Sequence, residues 1–483
     1  MKIYLTNPPY KPGFTRDARW QDASRAGTTY YPIWLAYATA ILEQEHEVRL
    51  VDAPVWNWSR EQMFSDIRQF QPDLVVIDTS FSSLDNDISI AEIIKEKNPL
   101  AINIMVGAPT SLFADKMLAS RGVDLVARKE FDFTLKEIAE AMDNSKGFQY
   151  LKGISYKDKG EMIHNPDREF STSSDLDGMP FVSQVYQRHL NIKDYFLNYS
   201  LYPMVQVFGG RGCPFQCTFC YWPQTFMGRK HRMRSPSNVV DEMEWVRNNL
   251  PEIKAVFFED DTFTINKKWV LAFTEEYKKR GLSLPWACQA RADLDYETMN
   301  AMHEANCLTA VVGYESGSNA LLKNVKKGIT VEGSRQFIQD ASRARLPIHG
   351  NFMFGLPGET PLTVKMTKKL AMESRSIAIT VEAATPFPGT EFYNWSKDNG
   401  YLFIGDTKDY SDEQGRQKIA ISYPQLSNVE IGKAVDQTLK GYFLSPRYIP
   451  IALKRLFNKH GWQELKVLLH SARMFLRYYF KGS

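Results

Sequence analysis

The sequence predicts an α/β protein with two parallel-sheet units and a basic helical region at its carboxyl end. Three observations support this prediction. Short apolar runs alternate with helical patterns over residues 1–145, the alternation resumes from Pro203, and the composition turns basic after Leu444. Such alternation is typical of βαβ units, and 483 residues suffice for two or three domains. We expect units at 1–145 and 201–400, a linker at 146–200 and a helical region at 401–483.

The first unit has five predicted strands and five predicted helices. The strands are expected at 2–7, 47–52, 74–79, 102–106 and 123–127. The helices are expected at 32–44, 59–70, 86–97, 111–120 and 132–142. This order predicts a doubly wound, Rossmann-like sheet, in which ligands bind outside the carboxyl ends of the strands.

Those strand ends carry small and hydroxyl side chains, among them Thr79-Ser80 and Gly107-Ala108. No Gly-x-Gly-x-x-Gly follows the first strand, which disfavours a nicotinamide or flavin dinucleotide. His46 is the only histidine before His164, and it lies at the end of the first predicted helix, away from the tip of the first strand.

Residues 146–200 are polar, and we expect an irregular linker there. Strand and helix alternation then resumes, with strands expected at 203–208, 254–259, 284–290, 308–315, 347–354 and 378–384. Six βα units in this order predict a barrel-like sheet. Functional side chains of such sheets lie at the carboxyl ends of the strands.

Three of the five cysteines, Cys213, Cys217 and Cys220, follow the first of these strands with the spacing Cys-x3-Cys-x2-Cys. An odd number of thiols without a secretory signal favours metal ligands over disulfides. A structural zinc site needs four protein ligands, and no second pair is present. A 4Fe-4S cluster on three cysteines keeps one iron open for a small chelating molecule. A zinc knuckle or three plain loop cysteines remain the alternatives.

With the aromatic Phe219 before the last cysteine, this motif resembles the radical S-adenosylmethionine (SAM) superfamily. The resemblance implies that the open iron binds SAM and that reductive cleavage of SAM gives a 5′-deoxyadenosyl radical. It also implies an electron donor such as flavodoxin or ferredoxin, a partial (β/α)6 barrel of the TIM type, and a position of Phe219 near the adenine.

Polar residues at the next strand ends are candidates for SAM contacts. Glu259 and Asp260 can accept hydrogen bonds from the SAM ammonium, and the guanidinium of Arg291 matches the SAM carboxylate. A solvated turn is the alternative for either carboxylate. Cys288, in the same region, is expected to be core or pocket wall.

Two further strand ends add candidates. Glu315 closes the fourth strand and suits the ribose or the ammonium of SAM. Gly355, Pro357 and Gly358 follow the fifth strand, where the family keeps a Gly-x-Ile-x-Gly-x-Pro-Gly-Glu-like motif, and glycine lets backbone approach the adenosyl group.

A doubly wound unit ahead of the cysteine motif resembles the cobalamin-binding domain of the cobalamin-dependent (class B) radical SAM enzymes. The resemblance implies cobalamin at the strand ends of the first unit, with Thr79, Ser80, Gly107 and Ala108 as contacts. The Asp-x-His-x-x-Gly motif of many cobalamin domains is absent. We therefore expect a lower cobalamin face without histidine, covered by residues such as Tyr30, Tyr31 and Trp34. The alternative is an α/β domain that packs a lid or substrate, because fold alone does not specify a ligand.

Four more stretches look like the hopanoid-biosynthesis radical SAM subgroup and relatives of the anaerobic cyclase of bacteriochlorophyll synthesis: 130–134, 220–225, 232–236 and 258–263. Lys129-Glu130 stands where many cobalamin domains keep Gly-Glu, so we expect a different contact there. The resemblance covers residues 1 to about 400.

Composition favours a soluble globular protein, with 43% hydrophobic and 24% charged residues. No apolar run reaches the roughly 18 residues of a membrane span and no signal peptide is recognisable, so we expect a cytoplasmic protein. The net charge of +3 is uneven, because 444–483 carries +7 and the remainder −4. We expect no nucleic-acid partner.

The basic tail has helices predicted at 448–456 and 464–480, with aromatic and aliphatic residues among Lys and Arg. Basic amphipathic helices can lie on an anionic membrane surface, which would suit a lipid-linked substrate. The alternative is a helical cap packed on the barrel with a solvated basic face.

Together the resemblances imply an enzyme that modifies an unactivated carbon. The first hypothesis is C-methylation of a lipid, sugar or other natural product, with cobalamin carrying the methyl group. The second is a radical rearrangement, ring contraction or cyclisation without methyl transfer. The third is a non-enzymatic iron-sulfur or corrinoid carrier, in which Arg291, Glu315 and residues 355–358 would have no role.

Overall fold

Two mainly parallel sheets form the frame of the described part of the protein. The computed structural model describes residues 1–11, 13–18, 23–457 and 460–480. The first sheet belongs to the amino-terminal unit and the second to the unit that carries the cysteines. A short antiparallel hairpin lies beside the second sheet.

The first sheet has seven strands within the described residues: β1 (Lys2–Asn7), β2 (Glu47–Asp52), β3 (Leu74–Asp78), β4 (Ile102–Val106), β5 (Leu125–Ala127), β6 (Ile154–Asp158) and β7 (Glu161–His164). Their order is β2-β1-β3-β4-β5-β6-β7. The first five strands are parallel, as the alternation of apolar runs and helices predicts, whereas β6 and β7 are antiparallel.

Five helices cover both faces of this sheet: α1 (Ile33–Leu42), α2 (Arg60–Phe70), α3 (Leu84–Lys97), α4 (Thr110–Ala119) and α5 (Asp132–Asp143). Side chains alternate along each strand, so Tyr4 packs with α2 to α4, while Ile3 and Leu5 belong to the core that contains α1 and α5. That second core continues into the cysteine-bearing unit without interruption. The doubly wound prediction is therefore confirmed.

The expectation of an irregular segment at 146–200 is wrong. Besides β6 and β7, this stretch contains α6 (Ser173–Gly178) and α7 (Val182–His189). Polar composition concealed the strands because they lie at the edge of the sheet, where the β7 side chains are largely solvated. Helix α7 buries Val182, Val185 and Tyr186 between the two units.

The second sheet is parallel and six-stranded in the order β15-β14-β13-β12-β11-β8. Its strands are β8 (Met204–Val207), β11 (Ala255–Phe258), β12 (Trp286–Arg291), β13 (Cys307–Glu315), β14 (Ile348–Phe354) and β15 (Ala378–Ala383). All six predicted strands are confirmed. The additional hairpin pairs β9 (Gly210–Arg211) with β10 (Arg232–Met233), and the cysteine loop lies between these two strands in the chain.

The helices that connect these strands are α8 (Pro236–Asn249), α9 (Lys267–Lys279), α10 (Tyr296–Glu304), α11 (Asn319–Asn324), α12 (Val331–Arg343), α13 (Pro361–Glu373) and α14 (Glu391–Asp398). All except α11 begin at a Ser, Thr, Asn or Asp whose side chain accepts a hydrogen bond from the backbone three residues on. Such caps satisfy amide groups that a helix start leaves unpaired, and so they fix the helix boundaries.

Three helices complete the described chain: α15 (Asn428–Phe443), α16 (Tyr448–Leu456) and α17 (Gly461–Phe480). Helix α15 packs on β15, and a buried ion pair between Arg455 and Glu464 joins α16 to α17. Lys459 and Lys481, which contribute to the predicted basic tail, lie outside the described residues. Among the described helices, none combines the length and the hydrophobicity needed to cross a bilayer.

Candidate active site

A cavity of about 180 Å³ opens at the carboxyl ends of the second sheet's strands, where the barrel prediction places the functional side chains. Cys213, Cys217 and Cys220 line one side. Strands β12 to β15 supply much of the remaining wall, and connecting segments add residues such as Asp261, Lys327 and Phe387. Of the predicted cofactor contacts, Phe219, Arg291 and Glu315 also border the cavity.

Backbone hydrogen bonds hold the cysteine loop against its surroundings. The amide of Cys213 donates to the Gly228 carbonyl, and the amide of Thr218 donates to the Val325 carbonyl. The Gln224 side chain donates to the Cys220 carbonyl at 2.7 Å. These contacts fix the chain on both sides of the thiols, so the loop is preorganised around the cavity.

The three thiols are buried or half-buried. Burial, with Asp261 nearby, raises the pKa of the Cys213 thiol to about 11. A buried thiolate needs a compensating charge, and metal coordination supplies one. No group of three His, Cys, Asp or Glu side chains within the described ranges surrounds a point for one metal ion. Ligands of an iron-sulfur cube form a different set, because each cysteine binds a different iron.

The other two cysteines lie elsewhere. Cys288 is fully buried in β12 beside Cys307, and burial raises the pKa of its thiol well above the usual value. The expectation that Cys288 belongs to the core is confirmed.

Arg291 is held in the cavity wall by three contacts. Its Nε donates to Asp293 at 3.0 Å, one Nη donates to the Lys327 carbonyl at 2.8 Å, and its guanidinium carbon lies 3.5 Å from the centre of the Phe215 ring. The second Nη is left for a ligand. Phe215 belongs to the cysteine loop, so the cation lies next to the thiols.

Glu315 forms an ion pair with Lys327, with 2.6 Å between the carboxylate oxygen and Nζ, and both side chains line the cavity. Burial alone would lower the pKa of the Lys327 ammonium, but the Glu315 carboxylate outweighs this effect and raises it. Gly313 makes room for the pair, because a Cβ there would lie 2.2 Å from the Glu315 carboxylate and 2.7 Å from Lys327 Nζ.

Two buried amide side chains in the cavity wall have polar atoms without a hydrogen-bond partner among the described residues. They are Gln289 Nε2 on β12 and Asn351 Oδ1 on β14. Unpaired buried polar atoms cost free energy unless a ligand or water satisfies them. A donor and an acceptor beside the Arg291 cation fit a zwitterionic polar ligand such as SAM.

Glu259 and Asp260 do not border the cavity. Glu259 accepts a hydrogen bond from Gln206 at 2.6 Å, and Asp260 accepts one from the Gly209 amide at 2.7 Å. The third carboxylate of the run, Asp261, lines the cavity instead. The sequence shows three consecutive acids but not which of them faces the cavity, and in the structure it is the third.

The glycine-rich run after β14 also lies outside the cavity wall. The Gly355 amide donates to Glu359, and its carbonyl accepts from the Tyr423 hydroxyl. A Cβ on Gly358 would lie 2.9 Å from Asn324 Nδ2, and the Pro357 carbonyl accepts from the same amide. These contacts bind the run to the carboxyl-terminal segment and to α11. Gly355, Pro357 and Gly358 therefore do not line this cavity, whereas Asn351 on β14 does, and their SAM contacts stay a prediction.

Glu382 is a cavity residue that the sequence analysis missed. It lies on β15, is 7% exposed and lines the cavity. Burial raises the pKa of its carboxyl to about 8; Arg25 opposes the rise and Glu315 adds to it. A carboxylate inside a continuous strand pattern gives no separate sequence signal, so only the alternation of inward and outward residues on β15 would have found it.

The carboxyl ends of the first sheet carry the predicted small residues. Gly107 has φ +110°, and a Cβ there would lie 2.2 Å from the Thr79 carbonyl oxygen, so only glycine allows this close approach. Ser80 pairs with Ser83 at 3.1 Å between hydroxyls. At the start of α4, the buried Ser111 hydroxyl has no partner within the described chain. None of Thr79, Ser80, Gly107 and Ala108 lines the barrel cavity, so these residues form a separate candidate region that fits polar groups of a ligand.

Aromatic side chains connect this region with the cysteine loop. The Phe81 ring centre lies 5.6 Å from that of Tyr221 and 5.3 Å from that of Phe387. Phe81 follows β3, whereas Tyr221 follows Cys220 directly and borders the cavity together with Phe387. The two candidate regions therefore meet at this aromatic contact.

Tyr30, Tyr31 and Trp34 are core residues, so the expectation that they cover a cofactor is wrong. The Tyr31 ring stacks on Tyr195 at 4.0 Å, and its hydroxyl donates to the Met204 carbonyl. The Tyr30 hydroxyl lies 2.8 Å from that of Tyr199, and Trp34 packs under the Arg211 guanidinium. The sequence pattern of aromatic residues around the start of a helix does not show whether they face a ligand or the neighbouring unit.

Lys129-Glu130 makes contacts within the protein, and the different cofactor contact expected there stays a prediction. Lys129 adopts φ +60°, a conformation that favours glycine, which is the residue that stands here in many cobalamin domains. Glu130 forms a buried two-point ion pair with Arg232 on β10, and Asp132 forms another with Arg211 on β9. Both acids therefore bind the hairpin that frames the cysteine loop.

Two family models match the chain. The B12 binding domain matches residues 22–139, and the radical SAM superfamily matches residues 207–371. The chain belongs to the cobalamin-dependent radical SAM enzymes. The matched ranges contain most of the first sheet and the strands β11 to β14 of the second, which confirms the resemblance stated on the cysteine motif and the doubly wound unit. SAM, a 4Fe-4S cluster and cobalamin are the cofactors of this family.

Among curated relatives of this radical SAM enzyme, an uncharacterized methyltransferase of Pyrococcus horikoshii is 28% identical over 499 residues, which cover 100% of this chain and 99% of the relative. An anaerobic magnesium-protoporphyrin IX monomethyl ester cyclase of Cereibacter sphaeroides is 26% identical and covers 83% of this chain and 65% of its own length. The likeness to relatives of the anaerobic cyclase is thus confirmed. The likeness to the hopanoid subgroup stays a prediction.

Among solved structures, the cobalamin-dependent SAM radical enzyme OxsB with aqua-cobalamin and SAM has a TM-score of 0.69 at 16% identity. The match covers 98% of this chain and 72% of that chain. At this identity the likeness shows a shared fold. Since the chain is a radical SAM enzyme, the hypothesis of a non-enzymatic carrier is set aside.

Proposed function

We propose that this radical SAM enzyme methylates an unactivated carbon of a small-molecule substrate. The observation that supports the proposal most is the convergence of three thiols, the Arg291 cation and two unpaired amides on one cavity, beside the strand ends of a B12-binding domain. The full-length likeness to a methyltransferase supports methyl transfer over other outcomes.

Cys213, Cys217 and Cys220 would hold the 4Fe-4S cluster, and SAM would occupy the cavity beside it. When bound, the cluster and SAM supply a 5′-deoxyadenosyl radical, and cobalamin supplies the methyl group. The chain's own residues would bind SAM and orient it. Arg291 pairs its remaining Nη with the SAM carboxylate, and Asp261 accepts from the ammonium.

The remaining wall fixes the nucleoside part of SAM. The Glu315 carboxylate is held in place by Lys327, so it presents its second oxygen to the ribose hydroxyls at little cost in side-chain entropy. Gln289 and Asn351 gain the hydrogen bonds that they lack in the ligand-free cavity. Phe219 supplies an apolar surface for the adenine.

Cobalamin would lie at the ends of the first sheet, where Thr79, Ser80, Gly107 and Ala108 allow close backbone approach and Ser111 offers an unpaired hydroxyl. His46 lies just before β2, near Asp143, and so at the amino ends of the strands, opposite to the proposed cobalamin position. His46 would therefore not be a ligand of cobalamin, and a lower face without histidine stays a prediction.

Glu382 would contact the methyl acceptor. Its carboxyl lies on β15, at the end of the sheet farthest from β8, which precedes the cysteine loop. It has no ion pair among the described residues, unlike Glu315. A carboxyl that stays protonated near pH 7 can donate a hydrogen bond to an acceptor hydroxyl or carbonyl. The acceptor class, a lipid, a sugar or another natural product, stays a prediction, as does a flavodoxin or ferredoxin electron donor.

A rearrangement or cyclisation without methyl transfer is the second candidate, and the likeness to the anaerobic cyclase supports it. The experiment that separates the two uses reduced, reconstituted enzyme, methyl-deuterated SAM and small-molecule extract from a deletion strain. Methyl transfer predicts deuterium in one product, with S-adenosylhomocysteine formed beside 5′-deoxyadenosine. Formation of 5′-deoxyadenosine alone with an unlabelled product would refute methylation and support the second candidate.

A further inference from the structure

We propose that α16 and α17 form a docking surface for an anionic lipid bilayer. The surface consists of the outward side chains of the two helices, which are Ile449, Leu453, Phe457, Trp462, Lys466, Leu469, Arg473 and Arg477. The inference is independent of the reaction, because it concerns a face of the molecule that the cavity does not use.

The inner faces of α16 and α17 pack against the rest of the protein. Arg455 of α16 pairs with Glu464 of α17 and also donates to the Ile377 carbonyl, which accepts a hydrogen bond from Tyr448 as well. On α17, Val467 is buried. These contacts fix the orientation of each helix and leave the opposite faces to solvent.

The outward face of α16 is apolar. Ile449, Leu453 and Phe457 are spaced four residues apart and are 58%, 47% and 86% exposed. Residues at this spacing lie on one side of a helix. On α17, Trp462 is 71% and Leu469 61% exposed. Exposed aromatic and aliphatic side chains in a row mark interaction sites, because scattered single residues are the normal case.

Basic residues share the exposed face of α17. Lys466, Arg473 and Arg477 follow Trp462 by four, eleven and fifteen positions, which places them on the same side of the helix as Leu469, and all three are exposed. Lys466 Nζ lies 5.8 Å from the Trp462 ring centre. Residues 444–483 carry a charge of +7, whereas the rest of the chain carries −4. Basic side chains near an anionic leaflet strengthen binding by electrostatic attraction.

The combination of basic and apolar side chains on this surface favours an anionic bilayer as its partner. A nucleic acid would use the basic residues but would leave Phe457, Leu453 and Ile449 in water. An anionic bilayer uses both, because the apolar face enters the acyl boundary while the Lys and Arg side chains reach the headgroups. Trp462 suits the headgroup level, where an indole has one apolar and one hydrated edge.

Co-sedimentation of the full-length reconstituted enzyme with vesicles tests the proposal. Vesicles that contain phosphatidylglycerol are expected to bind the enzyme, binding is expected to fall at high salt, and pure phosphatidylcholine vesicles are expected to bind weakly. Replacing Phe457→Ser together with Trp462→Ser removes two exposed side chains and is expected to weaken binding by about tenfold or more. The matched control Tyr150→Ser removes an aromatic ring that is 85% exposed on the first unit, and it is expected to change nothing.

Equal binding by the double variant and the control would overturn the proposal, as would failure of phosphatidylglycerol vesicles to bind. Light scattering of the protein without vesicles tests whether a second copy of the chain occupies the surface instead. A dimer that dissociates in the double variant, with no vesicle binding by the parent protein, would assign the surface to a second copy of the chain and also overturn the proposal.

Discussion

Arg232 and Glu130 form a two-point ion pair between the two units, with 2.8 Å for each nitrogen–oxygen contact. Both side chains are buried. Arg211 and Asp132 repeat the arrangement on the neighbouring strand, and Trp34 of the first unit packs against that guanidinium. The hairpin that frames the cysteine loop is therefore bound to the first unit at two points.

Replacing Glu130→Gln is expected to lower the free energy of unfolding by about 3–5 kcal/mol, because the buried Arg232 guanidinium would lose its counter-charge. Thermal or urea unfolding measures the change. Glu96→Gln is the matched control, since Glu96 pairs with Arg121 on the exposed surface and the loss should stay below about 1 kcal/mol. Similar losses for both variants would show that the buried pair has no special role.

Replacing Cys217→Ala is expected to abolish stable cluster incorporation, because a cube held by two thiolates leaves two irons open. Iron and sulfide content per chain, with visible absorption after anaerobic reconstitution, measures the effect. Cys288→Ala serves as the control, since Cys288 is a core residue, and it should retain the full iron content. Preferential zinc uptake by the parent protein, or unchanged iron in the Cys217 variant, would contradict the ligand assignment.

Replacing Gly313→Ala is expected to weaken SAM binding by about tenfold or more, because the new methyl group would meet the Glu315–Lys327 pair at 2.2 and 2.7 Å. Calorimetric titration of the reconstituted protein with SAM measures the affinity, and circular dichroism checks the fold. At Gly441, in α15, a Cβ meets open space, so Gly441→Ala should leave the affinity unchanged. Parent-like affinity in the Gly313 variant would remove the Glu315–Lys327 pair from the SAM site.

Replacing Glu382→Gln is expected to change how stability depends on pH. The folded pKa of about 8 lies above that of an unfolded glutamate, so stability from the protonated carboxyl is present at low pH and is lost as pH rises toward 8. The parent should lose about 1.4 kcal/mol per pH unit from pH 5 to 7 relative to the variant, which cannot ionise. Parallel unfolding profiles of the two ligand-free proteins over this range would show that Glu382 ionises normally.

The sheets were predictable because their strands are short, apolar and separated by amphipathic helices, which is a local pattern. The boundaries of β1, β2 and β4 match residue for residue. Strands β6 and β7 were missed because their side chains are largely polar, and because β6 joins the sheet through its pairing with β5 while β7 pairs only with β6. Propensity does not reveal an antiparallel edge strand that is stabilised mainly by a neighbour.

The site was predictable in part for a similar reason. Cys213, Cys217, Cys220, Phe219, Arg291 and Glu315 border the cavity because a motif or a strand end places each of them. Glu259, Asp260 and Gly355 occupy the predicted loops but face protein partners, since one residue of register decides which side chain points inward. Lys327 comes from a helix connection, where sequence spacing carries no such information.

The two ion pairs that join the hairpin to the first unit also restrict how ligands can enter the enzyme. Separating the two units would break two buried ion pairs at a cost of several kcal/mol each, so the interface between the units is not expected to open for ligand entry. The two units are therefore expected to keep their relative position during each turnover.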